Sequence, residues 1–119
     1  MAFKGFPYYW GAMASTKCIR AILFAFLSGK NGDKAAVDSC TGWVRHMGRF
    51  YESRTYAFVF DDRLTKGDAE VLLLDKKKQP LLKLSRQFPS RTIDLDGEKS
   101  RYYLRWNFKD ASGKCELRW

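Results

Sequence analysis

Through most of the second half of the chain, apolar and polar residues alternate with a period of two. In TYAFVFDD, Tyr56, Phe58 and Phe60 fall on one side of an extended backbone and Ala57 and Val59 on the other, the repeat of a strand. GWVRHMGRFY just before it reads the same way. EVLLLDKKKQPLLKLS reads as a hairpin whose register follows from its pattern. Placing Asp75 opposite Pro80 sets Leu73 against Leu82 and Val71 against Leu84, with Lys76-Lys77-Lys78-Gln79 as the loop. Its other face, Leu72, Leu74, Leu81 and Lys83, is also mostly apolar, which predicts a central hairpin covered on both sides. Ile93 and Leu95 mark a short strand before an Asp96-Gly97 turn. The last stretch reads as a hairpin turning at DASG, so that Trp106 opposes Leu117 and Arg105 opposes Arg118. Its inward face is Tyr102, Leu104, Trp106, Phe108, Cys115, Leu117 and Trp119. Its outward face is Arg101, Tyr103, Arg105, Asn107, Lys109, Lys114, Glu116 and Arg118.

The first half reads differently. Ala21 to Leu27 is an uninterrupted apolar run, with Ser15 or Thr16 placed to cap a helix and Gly29 to end it. The expectation is a helix over 16–28, apolar all round and therefore buried all round. GKNGDK at 29–34 is a loop without phosphate-loop spacing, and 33–42 is expected to hold a short helix begun by Asp33. The fold class expected is α+β: an antiparallel meander of about six strands with one N-terminal apolar helix packed on it. A single domain spans 16–119, preceded by an aromatic arm over 1–15.

Composition sharpens this. The chain has 119 residues with 16% aromatic side chains, and 22 Lys and Arg against 13 Asp and Glu leave a net charge of +9. That balance favours an anionic partner, a nucleic acid or another polyanion, while 45% hydrophobic and 29% charged residues argue against a disordered chain. The apolar run is far short of the roughly 20 residues that span a bilayer, so no transmembrane segment is expected. Cys18, Cys40 and Cys115 form no framework spacing, which points to reduced thiols in an intracellular, reducing compartment. The alternative is secretion, with Met13 opening a signal peptide whose cleavage site lacks small residues.

Candidate chemistry is sparse. Any Ser-His-Asp or Cys-His arrangement must use His46, the single histidine, and the bland reading of a satisfied or surface imidazole is favoured. Asp61 and Asp62 are adjacent on a strand and point apart, and DLDGEKS lacks the glycine and terminal glutamate of a calcium loop. No catalytic residue, metal site or cofactor is expected, and the chain is read as a non-enzyme.

Two surfaces remain. The arm carries Phe3, Phe6, Tyr8, Tyr9 and Trp10, and with Ile22 and Phe26 of the helix it is the expected interface with another protein subunit or a second copy. Two accounts compete: the arm folds back over the domain's own sheet, or residues 1–12 are a cloning remnant ahead of Met13. The basic set is Lys76, Lys77, Lys78, Arg101, Tyr103, Arg105, Lys114 and Arg118, a Tyr among cations on one sheet face. The leading reading is a non-enzymatic protein-interaction domain, a subunit of a larger or oligomeric assembly. Binding of RNA or single-stranded DNA through the basic face is the alternative, and a carrier of a lipid-like ligand is the second.

Overall fold

The computed structural model describes residues 7–11 and 14–119, with side chains from Cys18 onward. The described chain is all strand: β1 (Pro7–Gly11), β2 (Ala14–Arg20), β3 (Leu23–Ser28), β4 (Gly32–Met47), β5 (Ser53–Leu74), β6 (Pro80–Ser85), β7 (Ser90–Asp96) and β8 (Tyr103–Arg118). The α+β expectation is therefore corrected, for neither the 16–28 helix nor the helix within 33–42 forms. The apolar run is seven residues long, a strand's length rather than a helix's. It supplies β3, in which Phe24, Phe26 and Ser28 face inward and Leu23 and Leu27 face out. Apolarity on both sides came from a strand with one exposed greasy edge.

Among the described residues one eight-stranded sheet holds every strand, in the order β1-β3-β4-β8-β5-β6, with β2 also on β4 and β7 also on β5. β1 runs parallel to β3, and the other seven strands pair antiparallel. This is no meander, because the last strand inserts between β4 and β5. The expected C-terminal hairpin does not form: β8 runs straight through DASG, and its two halves pair with different halves of β4 and β5.

The three long strands bend together. Register shifts fall at 37–42 in β4 and at 64–68 in β5. Among the described residues, all those at positive φ except Lys78 cluster along the same line: Ser39, Gly42, Gly67, Asp110 and Gly113. A bulge adds twist and redirects a strand. Three bulged strands side by side fold the sheet over on itself. Side chains take up backbone groups the bulges release: Ser112 Oγ accepts from the Ser39 amide at 3.0 Å and Thr41 Oγ1 from the Asp110 amide at 3.0 Å, while Thr65 Oγ1 donates to the Ser112 carbonyl at 3.1 Å. DASG, expected as a hairpin turn, is a corner in a continuous strand.

The fold makes two facing layers. The first contains β1, β3, the β4 segment 32–37, the β8 segment 113–118, the front of β5 and β7. The second contains β2, the β4 segment 42–47, the β8 segment 103–108, the β5 segment 68–74 and β6. Between them Trp106, fully buried, meets Phe26 and Phe60 with centroids 5.7 Å away, and Phe24 meets Phe108 at 6.0 Å. The inward set expected for β8 is the core set: Leu104, Trp106, Phe108, Cys115 and Leu117 are buried, with Tyr102 and Trp119 packed against them. The β5–β6 register holds at Val71–Leu84 and Leu73–Leu82, then slips so that Leu74 rather than Asp75 meets Pro80. β6 lies at a sheet edge, with Leu81 41% exposed, so the expected central position is corrected too.

Candidate functional site: an arginine–tryptophan face

On the second layer the outward residues of β4 and β8 lie side by side in rows. Trp43 stands opposite Asn107, Arg45 opposite Arg105, and Met47 opposite Tyr103. The inward neighbours Val44, His46, Leu104 and Trp106 are all buried, which fixes the outward aim of the others by strand alternation. Both guanidiniums of the middle row lie over the Trp43 ring, Arg105 Cζ at 4.5 Å from its centroid and Arg45 Cζ at 5.7 Å. Like charges directly across a strand pair oppose each other. Here the indole face, whose quadrupole attracts cations, offsets part of that opposition.

Arg105 is further oriented by its Nε donating to Asn107 Oδ1 at 2.9 Å, and Asn107 Nδ2 donates to Glu70 Oε2 at 2.9 Å. Lys83 lies 3.9 Å from the other Glu70 oxygen. Glu70 is thus drawn toward β6. At the far end, the β5–β6 loop turns on Asp75 Oδ1, which accepts the Lys77 and Gln79 amides at 2.9 Å each. That turn carries Lys78 Nζ to 4.8 Å from the Tyr103 ring centroid. The order down the face is ring, two cations, ring, cation.

The expected basic set is divided by the bend. Tyr103 and Arg105 lie on this face with the lysine loop at its end, and Arg101 is exposed in the connection before β8. Lys114 and Arg118 stand on the outer side of the other layer. Arg105 does face an arginine across a strand pair, but the partner is Arg45 and not Arg118. Sequence reading missed Trp43 and Arg45. The signal was present: once Val44 and His46 are taken as inward, WVR places Trp43 and Arg45 together on the outside.

Of the expected protein interface, Phe3 and Phe6 lie outside the described residues, as do the side chains of Tyr8, Tyr9 and Trp10. The backbone of those last three belongs to β1, in register with Ala25, Phe26 and Leu27. Phe26 is corrected from interface to core, at 1% exposure. Ile22, Leu23 and Leu27 remain exposed. Beside them an open groove of about 570 Å³ runs over Ala25 and Ala36, rimmed by Lys34, Lys114, Arg118, Arg63, Asp61 and Glu116. Its rim charges are partly paired, Arg63 with Asp61 at 3.0 Å and Arg118 with Glu116 at 3.5 Å. A second open groove of about 610 Å³ is lined by Asp62, Asp68, Glu70, Lys83, Arg86 and Lys109 among others. Charged rims suit neither groove to a lipid-like ligand.

The residues of an acid–base constellation do meet, in the core. Asp33, at 0% exposure, accepts from Ser28 Oγ at 2.6 Å and Trp106 Nε1 at 3.0 Å, and its Oδ2 lies 2.8 Å from His46 Nε2. His46 Nδ1 faces the Met47 carbonyl at 3.1 Å. Ser28 bonds to the carboxylate and not to the imidazole, and all three are enclosed, so the arrangement is a strut between layers. Burial pushes the Cys40 and Cys115 thiols up to about 12. Among the described residues no group of His, Cys, Asp and Glu could hold a metal, and no helix is long and apolar enough to cross a membrane.

No protein-family profile matches the sequence, and no curated protein does. Solved structures with some likeness include the enzymatically active domain of tailspike protein 4 from bacteriophage CBA120. It has a TM-score of 0.47 at 8% identity over 87% of this chain, which spans 18% of that one. A family 29 carbohydrate-binding module, in a mutant made to probe ligand recognition, gives 0.42 at 9% identity, covering 87% and 71% of the two chains. The accessory secretory proteins 1, 2 and 3 of Streptococcus pneumoniae give 0.37 at 7% identity, covering 91% and 88%. These likenesses carry no functional argument.

Proposed function

We propose that this chain is a non-catalytic binding domain that holds an extended anionic ligand on the outer face of its second layer. One observation carries the reading: Arg45 and Arg105 are direct cross-strand neighbours gathered over one tryptophan. An anion lying between two such guanidiniums relieves their repulsion and accepts from both. The surrounding charge agrees, since Arg20, Lys78, Lys83 and Lys109 are exposed at the margins and Glu70 is turned toward β6. Against catalysis stand the enclosure of His46 and of two of the three thiols.

The test uses an abasic phosphodiester oligomer, which offers phosphates without bases, in a fluorescence anisotropy titration across a salt series. Binding should weaken linearly in log–log with salt, with a slope of about −0.7 for each phosphate neutralised. Arg45→Gln with Arg105→Gln should weaken it by roughly tenfold or more and flatten the slope by about 1.4. Lys114→Gln with Arg118→Gln, on the other layer, should leave it unchanged. No binding at low salt, or equal loss from both pairs, overturns the reading.

A second reading is a contact with another protein subunit. Ile22 at 59%, Leu23 at 40% and Leu27 at 46% exposure form an apolar strip along β3 that favours it. Sedimentation velocity on the same samples decides for self-association: a monomer at every concentration removes the second-copy form of this reading.

A further inference from the structure

Resting on that reading, we infer that the ligand of the arginine–tryptophan face is a single-stranded nucleic acid, whose bases stack where its phosphates are held. The inference comes from the order of groups down the face. Trp43 occupies one row, Arg45 and Arg105 the next outward row, and Tyr103 the row after, capped by Lys78. Rows on one face of a strand are two residues apart, about 6.6 Å, so the two rings lie about 14 Å apart measured along and across two adjacent strands. A sheet of comparable reach stacks two or three bases on its rings.

The alternation is the specific feature. A single strand presents flat bases and charged phosphates in turn, and this face presents two guanidiniums layered over the Trp43 ring and then the Tyr103 ring beside Lys78. Arg105 extends the platform, because a nucleobase stacks on a guanidinium plane as it does on a ring. A duplex keeps its bases paired inside and shows mostly phosphate from outside. A polyphosphate or sulfated chain has charge and no π-face, so the rings would go unused. An acidic peptide supplies carboxylates, but neither their spacing nor flat groups between them is repeated. Sheet curvature also matters: the bulges at 37–42 and 64–68 lie at one end of the rows, and the lysine loop at the other. A strand laid along the rows therefore ends on Lys76, Lys77 and Lys78, all exposed.

The experiment compares three probes on the unmodified protein at one salt concentration: an oligodeoxythymidine of about nine nucleotides, the abasic oligomer of equal length, and a duplex of equal length. The base-bearing single strand should bind roughly tenfold or more tighter than the abasic one, as stacking contributes about 1–3 kcal/mol per base. Tyr103→Leu should remove most of that difference and weaken abasic binding far less, while Tyr103→Phe should preserve both. Equal binding of the abasic and base-bearing strands overturns this inference and leaves the anionic-ligand reading standing. So does a duplex bound as tightly as the single strand. Failure of all three probes to bind at low salt overturns both.

Discussion

Asp33 accepts three hydrogen bonds while fully buried, and its partners come from β3, β4 and β8. The His46 ring spans two elements, with Nδ1 3.1 Å from the Met47 carbonyl and Nε2 2.8 Å from Asp33 Oδ2. An amide at position 33 cannot serve all of these. With its oxygen toward Trp106 it requires a proton on His46 Nε2 and strands the Met47 carbonyl, and with its nitrogen there it meets the indole N–H. Asp33→Asn should therefore cost about 3–5 kcal/mol, as breaking a buried pair does. Thermal unfolding should show a fall in Tm of more than about 10 °C. A loss under about 1 kcal/mol would mean the strut is dispensable. The thiols give a second expectation at this scale. A thiol near 8.5 when unfolded and near 12 when folded keeps its proton longer in the folded chain, so stability falls as pH rises between those values. Native protein at pH 8 should accordingly alkylate at Cys18 alone, the exposed thiol. Rapid labelling of Cys40 or Cys115 would show that the core opens. The burial of Cys115 was legible from its inward place on the last strand, but a single histidine and a loop-like Asp33 give no hint in sequence that they meet.

At the scale of elements, alternation was informative and punctuation was misleading. Tyr56, Phe58 and Phe60 are buried as their spacing required, and the Val71–Leu84 pairing held. KGD, DASG and DSCTG carry turn residues because a bulge at positive φ needs the same chemistry as a turn. Nothing local distinguishes a corner in a long strand from the end of a short one. The helix failed for a related reason: a seven-residue apolar run has no period to read, and only the partner strands β4 and β1 decide its form. Gly67 tests the corner directly. It sits at φ 72°, and a Cβ there would run into the backbone carbonyl of Asp110. Gly67→Ala should destabilise by more than about 2 kcal/mol in denaturant melts, from backbone strain and the collision together. Lys66→Ala, exposed beside it, should be near neutral. Equal effects would mean the corner is not strained against substitution.

For the whole molecule, the +9 charge favours an anionic partner without saying which surface would meet it. Of the expected basic set, Tyr103 and Arg105 share one face with the lysine loop at its end, and Lys114 and Arg118 lie on the other layer, because one bend separates Arg105 from Arg118. The same bend governs how the protein comes into being. β8, last in chain order, is central to both layers, and Gly32 pairs with Arg118 across most of the chain. During synthesis the preceding strands emerge with their middle missing, their greasy inner surfaces facing nothing. Neither layer can close until the final strand is released and inserts between its two neighbours. Folding of this domain is thus an event after translation of β8, slow by the distance its contacts span, and a chain stalled short of Tyr103 is a client for chaperones rather than a partial protein.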